Sequence, residues 1–105
     1  MRAHVRAFND GVRSGDWEPM LARFAPGAEL RFVNVPAGPF RGVDEIRRAY
    51  QEQPPDDQIQ LLGVQADDER GAVVGAYAWL RGGTGRLELE HDHGAITRLT
   101  VVFDE

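Results

Sequence analysis

Apolar residues recur at helical spacing from the start of the chain. Val5, Phe8 and Val12 fall at i, i+3 and i+7 and predict an amphipathic helix over 1–14. Ser14 and Gly15 supply its stop, because glycine takes the left-handed cap without steric cost. Asp16 reads as the N-cap of a second helix, DWEPMLARFA, with an apolar stripe of Trp17, Met20, Leu21 and Phe24. Pro19 is tolerated in its first turn, where amides lack partners, and Pro26-Gly27 ends it. AELRFVNV then alternates as a strand. Ala28, Leu30, Phe32 and Asn34 share one face, and Glu29, Arg31, Val33 and Val35 the other. After the turn-rich loop PAGPFRG, GVDEIRRAYQEQ returns to helical spacing, with Val43, Ile46, Ala49 and Tyr50 on one side. The run Pro54-Pro55-Asp56-Asp57 breaks that helix.

The second half is strand-like throughout: QIQLLGVQA, AVVGAYAWLR, GRLELEH and AITRLTVVF, separated by ADDERG, GGTG and HDHG. Short polar links favour antiparallel neighbours, and the order of elements predicts an α+β domain with helices on one sheet face. In the last hairpin, a three-residue loop Asp92-His93-Gly94 pairs His91 with Ala95, Leu89 with Thr97 and Leu87 with Leu99. That register gathers Leu87, Leu89, Leu99, Val101 and Phe103 on one face. A two-residue loop shifts it by one and turns Glu88 and Glu90 toward the apolar side. We prefer the first, since buried carboxylates need specific partners.

At 105 residues the chain fits one domain, 1–105, and its 42% hydrophobic content suffices for a core. With no cysteine, disulfides, thiolate metal sites and a cysteine nucleophile are excluded. The net charge of −5 and the scatter of the arginines argue against nucleic acid. MRAHVRAFNDG lacks the apolar core of a signal peptide, and no apolar run is long enough for a bilayer. We therefore expect no membrane partner and a cytoplasmic location. GGTG lacks phosphate-loop spacing, and nothing in the chain implies a cofactor.

The strings FNDGVRSGDWEPMLARFAPGAEL, PFRGVDEIRRAY and HDHGAITRLTVVF, in this order and spacing, resemble the NTF2-like superfamily, in particular its SnoaL-like and ketosteroid-isomerase-like branch. The resemblance implies a cone-shaped, cystatin-like α+β fold, in which a strongly curved, mainly antiparallel sheet wraps three helices around an apolar pocket. It also implies a homodimer joined through the sheet. Ketosteroid isomerase uses a carboxylate base, a tyrosine and a protonated aspartic acid. By this resemblance those positions hold Phe32, Phe8 and, near the last hairpin, Arg86. The usual acid–base set is therefore missing.

Other residues carry candidate chemistry. His4 lies one turn before Phe8 and could serve as a general base, although we prefer a partly exposed histidine at the helix terminus. Asn34 could hydrogen-bond a ligand carbonyl or cap its strand before Pro36. Tyr50 could offer its hydroxyl to the pocket or simply pack in the core. The expected pocket lining is Phe8, Trp17, Leu21, Phe24, Leu30, Phe32, Tyr50, Leu99 and Val101. Tyr77 and Trp79 share one strand face, which points either inward or toward a partner. His91, Asp92 and His93 look like a hairpin tip, and we expect no metal there.

Three functions compete. The first is binding of an apolar or aromatic small molecule. The second is cofactor-free isomerase, cyclase or hydratase chemistry on a polyketide- or steroid-like substrate, with the unconventional pair His4 and Asn34. The third is a dimeric interaction module with a filled pocket. Fold alone does not choose between them.

Overall fold

The computed structural model describes residues 1–67 and 71–104. In chain order the elements are α1 (Arg2–Ser14), α2 (Glu18–Leu21), β1 (Phe24–Val33), β2 (Phe40–Arg41), α3 (Val43–Glu52), β3 (Ile59–Asp67), β4 (Ala72–Trp79), β5 (Thr84–Asp92) and β6 (Ala95–Phe103). The six strands form one sheet in the order β2-β1-β6-β5-β4-β3. All neighbours are antiparallel except β1 and β6, which run parallel. Of the ADDERG link between β3 and β4, the first two residues belong to β3, and 68–70 lie outside the described residues.

The first helix forms as its periodicity predicts. Val5 and Phe8 are buried, and Gly15 caps it at φ 79°, its amide donating to the Gly11 carbonyl at 2.8 Å. Asp16 is not the N-cap expected: α2 begins at Glu18 with Trp17 at the cap, and the Asp16 carboxylate accepts the Glu18 amide at 3.0 Å from one residue further out.

The second helix is a correction. Only four residues are helical, and Phe24 already belongs to β1. The Ile96 amide donates to the Arg23 carbonyl at 2.9 Å, so pairing with β6 takes the chain over before another turn can form. Pro26 and Gly27 lie within β1, where the register against β6 shifts between Phe24 and Glu29. Proline has no amide for the ladder, so it marks an irregularity inside the strand and not the end of a helix. The short strand β2 lies within what reads as a loop. Two residues are too few for alternation to register.

The last hairpin is a second correction. Asp92 pairs with Ala95 and His91 with Ile96 around a two-residue turn, with His93 and Gly94 both at positive φ (51° and 82°). The register then shifts between Glu90 and His91, leaving Thr97 as the extra residue. Beyond this bulge Glu90 pairs with Arg98, Leu89 with Leu99 and Leu87 with Val101. The predicted partner is thus off by one at His91 and by two at Leu89 and Leu87, yet the apolar face is the one expected. The bulge restores the parity that the tight turn removes.

Of the side chains that alternate with this face, Arg86, Glu88, Glu90 and Arg98 are charged, whereas Thr100 is polar and Val102 is buried and apolar. Glu29 lies 3.2 Å from both Arg41 and Arg98, and Arg98 reaches Glu90 at 3.3 Å. Inside, Tyr77, Met20, Leu30, Ile46 and Leu99 are fully buried. Two glycines set the closest approaches. A Cβ at Gly85 would overlap the Val102 carbonyl and the Tyr77 ring, and one at Gly11 would overlap the Trp17 indole.

Gly11→Ala therefore tests the seat of Trp17. Alanine favours an isolated helix by about 1 kcal/mol, but here overpacking should destabilise by about 1–3 kcal/mol. Urea unfolding reads the sign. A net gain in stability would mean that the indole is free to move aside.

Candidate functional site

The concave face of the sheet and the helices across it leave a cavity of about 290 Å³. Helix α1 contributes His4 and Phe8, and α3 contributes Ala49 and Tyr50. From the sheet come Phe32 of β1 and Phe40 of β2, then Ile59, Tyr77, Trp79 and Leu87. Leu99, Val101 and Phe103 of β6 complete the floor. Ala37, Gln53 and Pro55 stand on loops at the margin, the first two solvent-exposed.

Aromatic rings frame this space in one continuous arc. Phe40 meets Phe32 at 6.2 Å between centroids, Phe32 meets Phe103 at 6.3 Å, and Phe103 stacks on Trp79 at 5.9 Å. Trp79 then meets Phe8 at 6.2 Å, Phe8 meets Trp17 at 5.8 Å, and Trp17 meets Tyr50 at 4.9 Å. Tyr77 and Trp79 both face inward, which settles the face left open by the sequence.

Of the lining expected from sequence, Phe8, Phe32, Tyr50, Leu99 and Val101 border the cavity. Trp17, Leu21, Phe24 and Leu30 do not. They are buried behind it, with Trp17 bracing Phe8 and Tyr50 from the far side. Inward residues absent from that expectation include Ile59, Leu87, Trp79 and Phe103. Alternation along their strands was the available signal, but no strand pattern reports how far a helix covers the sheet.

His4 is not the partly exposed residue preferred from sequence. It is 2% exposed, its ring stands edge-on to Phe24 at 5.7 Å, and its Nδ1 is buried without a hydrogen-bond partner. Burial, and then the positive charge of Arg23, hold its pKa down to about 3. The imidazole is therefore neutral at ordinary pH and a weak base. Burial likewise pushes the Tyr50 phenol upward, so it stays protonated and able to donate. The Tyr77 hydroxyl is already committed, donating to the Val102 carbonyl at 3.1 Å.

Asn34 is not brought to His4. It is exposed at φ 73°, and its amide donates to the Phe103 carbonyl at 2.6 Å, joining β1 to the end of β6 outside the cavity lining. At the position of the implied tyrosine stands Phe8, and at that of the implied base stands Phe32. Both border the cavity, while Arg86 is exposed on the other side of the sheet. Glu88 and Glu90 lie alongside Arg86 and Arg98, not in the cavity. His93 pairs with Asp92 at 2.9 Å on the exposed hairpin tip. Among the described residues no group of three or more His, Cys, Asp or Glu is placed to hold a metal ion, and no helix is long and apolar enough to cross a membrane.

The model of the SnoaL-like domain matches residues 5–102. The chain belongs to the SnoaL-like family. Among solved structures it is similar to a SnoaL-like protein of unknown function from Burkholderia thailandensis, at 16% identity and TM-score 0.78, covering 99% of this chain and 93% of that one. It is also similar to a candidate ketosteroid isomerase from Kribbella flavida, at 23% identity and TM-score 0.75, with 99% and 77% covered. A candidate polyketide cyclase from Xanthomonas campestris aligns at 22% identity and TM-score 0.71, with 98% and 89% covered. Identities this low establish the fold, which is also that of solved cystatin-like and NTF2-like proteins. No curated protein matches. This SnoaL-like domain thus has the α+β architecture that the sequence resemblance implies.

The state of His4 makes stability pH-dependent. Unfolded, the imidazole takes a proton near 6.5, whereas folded it resists protonation down to about 3. The unfolded chain binds the extra proton between these values, so stability is full above 6.5 and falls as pH drops through this window. Between pH 7 and pH 5 the loss from this residue should be about 2 kcal/mol. Urea unfolding at both pH values should show that loss in the parent and not in His4→Phe. Equal losses would contradict a buried neutral imidazole.

Proposed function

We propose that this SnoaL-like domain binds an apolar or aromatic small molecule in the cavity between sheet and helices. The observation that carries the reading is the space itself: about 290 Å³ bordered by Phe8, Phe32, Phe40, Tyr50, Trp79 and Phe103, with exposed margin residues. A concave, mainly apolar site with few polar groups is the usual form of a small-molecule pocket. A filled interaction module leaves this volume unexplained, so we place that reading lower.

Turnover is the second reading, favoured by kinship with a candidate isomerase and a candidate cyclase. It is weakened by the side chains present. A general base works best with a pKa near the working pH, and His4 sits near 3. The pair His4 and Asn34 has no shared space, because Asn34 is bonded at the strand end.

Thermal unfolding against a panel of one- to four-ring aromatic and terpenoid compounds tests binding. A ligand at about 100 times its Kd adds roughly 2.7 kcal/mol, which for a domain of this size raises Tm by on the order of 10 °C. Ala49→Phe, which places a ring inside the space, should abolish the shift. A panel without any shift counts against binding, and a shift that survives Ala49→Phe places the ligand elsewhere.

A further inference from the structure

Strand β3 is the last of the sheet, so no further strand among the described residues covers its outer edge. At the start of that edge a side chain stands where a strand would. The Asn9 carboxamide donates to the Ile59 carbonyl and accepts the Ile59 amide, both at 2.9 Å, which is the two-bond exchange of an antiparallel pair. Period two turns the backbone of Leu61 to the same edge, and α1 has no second amide side chain to meet it. Unpaired N–H and C=O groups on an edge are a template for another strand.

Helix α1 lies along this edge and runs the opposite way. Met1 packs beside Gly75, the partner of Val64, whereas Asn9 sits at Ile59 and Arg13 donates to the Gln58 side chain at 2.9 Å. Between helix and strand a groove of about 370 Å³ runs past Arg2, Arg6, Arg13, Ile59 and Leu61. Arginines that look scattered along the chain thus share one helix face, at i, i+4 and i+11. Arg13 is held by Asp10. Arg2 and Arg6 are exposed, and no described acidic side chain pairs with them. Leu62, the extra residue where the β3 register shifts between Leu61 and Gly63, is 57% exposed beside the same edge.

We propose that the seam between α1 and β3 docks an extended segment of a partner protein in which acidic and apolar residues alternate. Its backbone adds to the edge from Leu61 onward, two alternate carboxylates meet Arg6 and Arg2, and an apolar residue between them covers Leu62. The spacing fits. Four helical residues rise about 6 Å, and alternate residues of a strand lie roughly 6.5–7 Å apart. Edge and charge together select this occupant. A nucleic acid would satisfy the arginines but not the backbone edge, which needs both a donor and an acceptor. A second copy paired antiparallel through β3 would set both arginine rows on the same side of the joined sheet, where like charges oppose. The site is separate from the central cavity and independent of what that cavity holds.

Fluorescence anisotropy with a labelled Glu-Val-Glu-Val-Glu-Val peptide tests the proposal. The Glu peptide should bind about tenfold more tightly than its Gln-Val counterpart, and more weakly as salt rises. Methylating alternate backbone nitrogens of the Glu peptide should also cost about tenfold, because it removes the strand donors. Arg2→Gln and Arg6→Gln should each weaken binding about threefold to fivefold, whereas Arg48→Gln, at an exposed arginine of α3, should leave it unchanged. Equal binding of the Glu and Gln peptides, or of the methylated and plain ones, overturns the proposal, as does no binding up to about 1 mM. A single-stranded oligonucleotide that binds as tightly overturns the peptide assignment. A parent that sediments as a dimer, tightened by Arg6→Gln, assigns the edge to a second copy instead.

Discussion

The packing of Trp17 against Gly11 organises the helical half of this protein. Because residue 11 has no side chain, the indole lies directly on α1, where a Cβ would occupy the same space. From there it touches Phe8 of α1 and Tyr50 of α3. One buried ring thus ties the segment leading into α2 to both helices that wall the cavity. Neither Phe8 nor Tyr50 is backed by solvent, so the rings facing the empty space are held from behind. That is the arrangement a preformed pocket requires, since a wall without backing would collapse into the void.

A matching constraint acts in the sheet. Tyr77 lies over Gly85 and donates to the Val102 carbonyl, so β4, β5 and β6 meet at a point that tolerates no extra carbon. The ring fills the middle of the concave face while Trp79, two residues on, stacks over Phe103 and continues the aromatic arc. The outer side, where Glu29 lies between Arg41 and Arg98, contributes little through these pairs at this exposure. Its effect is mainly to make the inward and outward faces unequal, which fixes the strand register.

The same reasoning explains what could be read from the sequence. Helices α1 and α3 and strands β3 to β6 were legible because their periodicities are strong and glycine, proline or aspartate punctuates them. The end of α2 was not, because it is set by the bond from Ile96 to Arg23, more than seventy positions away in the chain. The hairpin face was legible but its pairing was not. Two local irregularities, the turn at His93-Gly94 and the bulge at Thr97, cancel in parity while moving every partner. For the cavity, periodicity identified inward residues such as Phe8, Phe32, Leu99 and Val101 but not their depth. Leu30 and Phe32 share one strand face, yet Leu30 is sealed in the core and Phe32 borders open space. His4 was misjudged for a related reason: its helix position gives its direction, but its burial depends on Phe24 and Arg23 arriving from the next segment.

The energetics of the void make its preservation informative. A closed cavity costs roughly 24 cal/mol per Å³, so the full 290 Å³ would set an upper bound of about 7 kcal/mol. Small domains have only about 5–15 kcal/mol in total. Water entering at the margin lowers that cost, but walls of phenylalanine and tryptophan offer it few partners. A sequence selected only to fold would fill such a space with one or two larger side chains, for instance at Ala49 or Val101. This one instead keeps small residues at those positions and braces the large rings from outside, through Trp17 and Gly11. The packing thus keeps an open centre at some expense of stability.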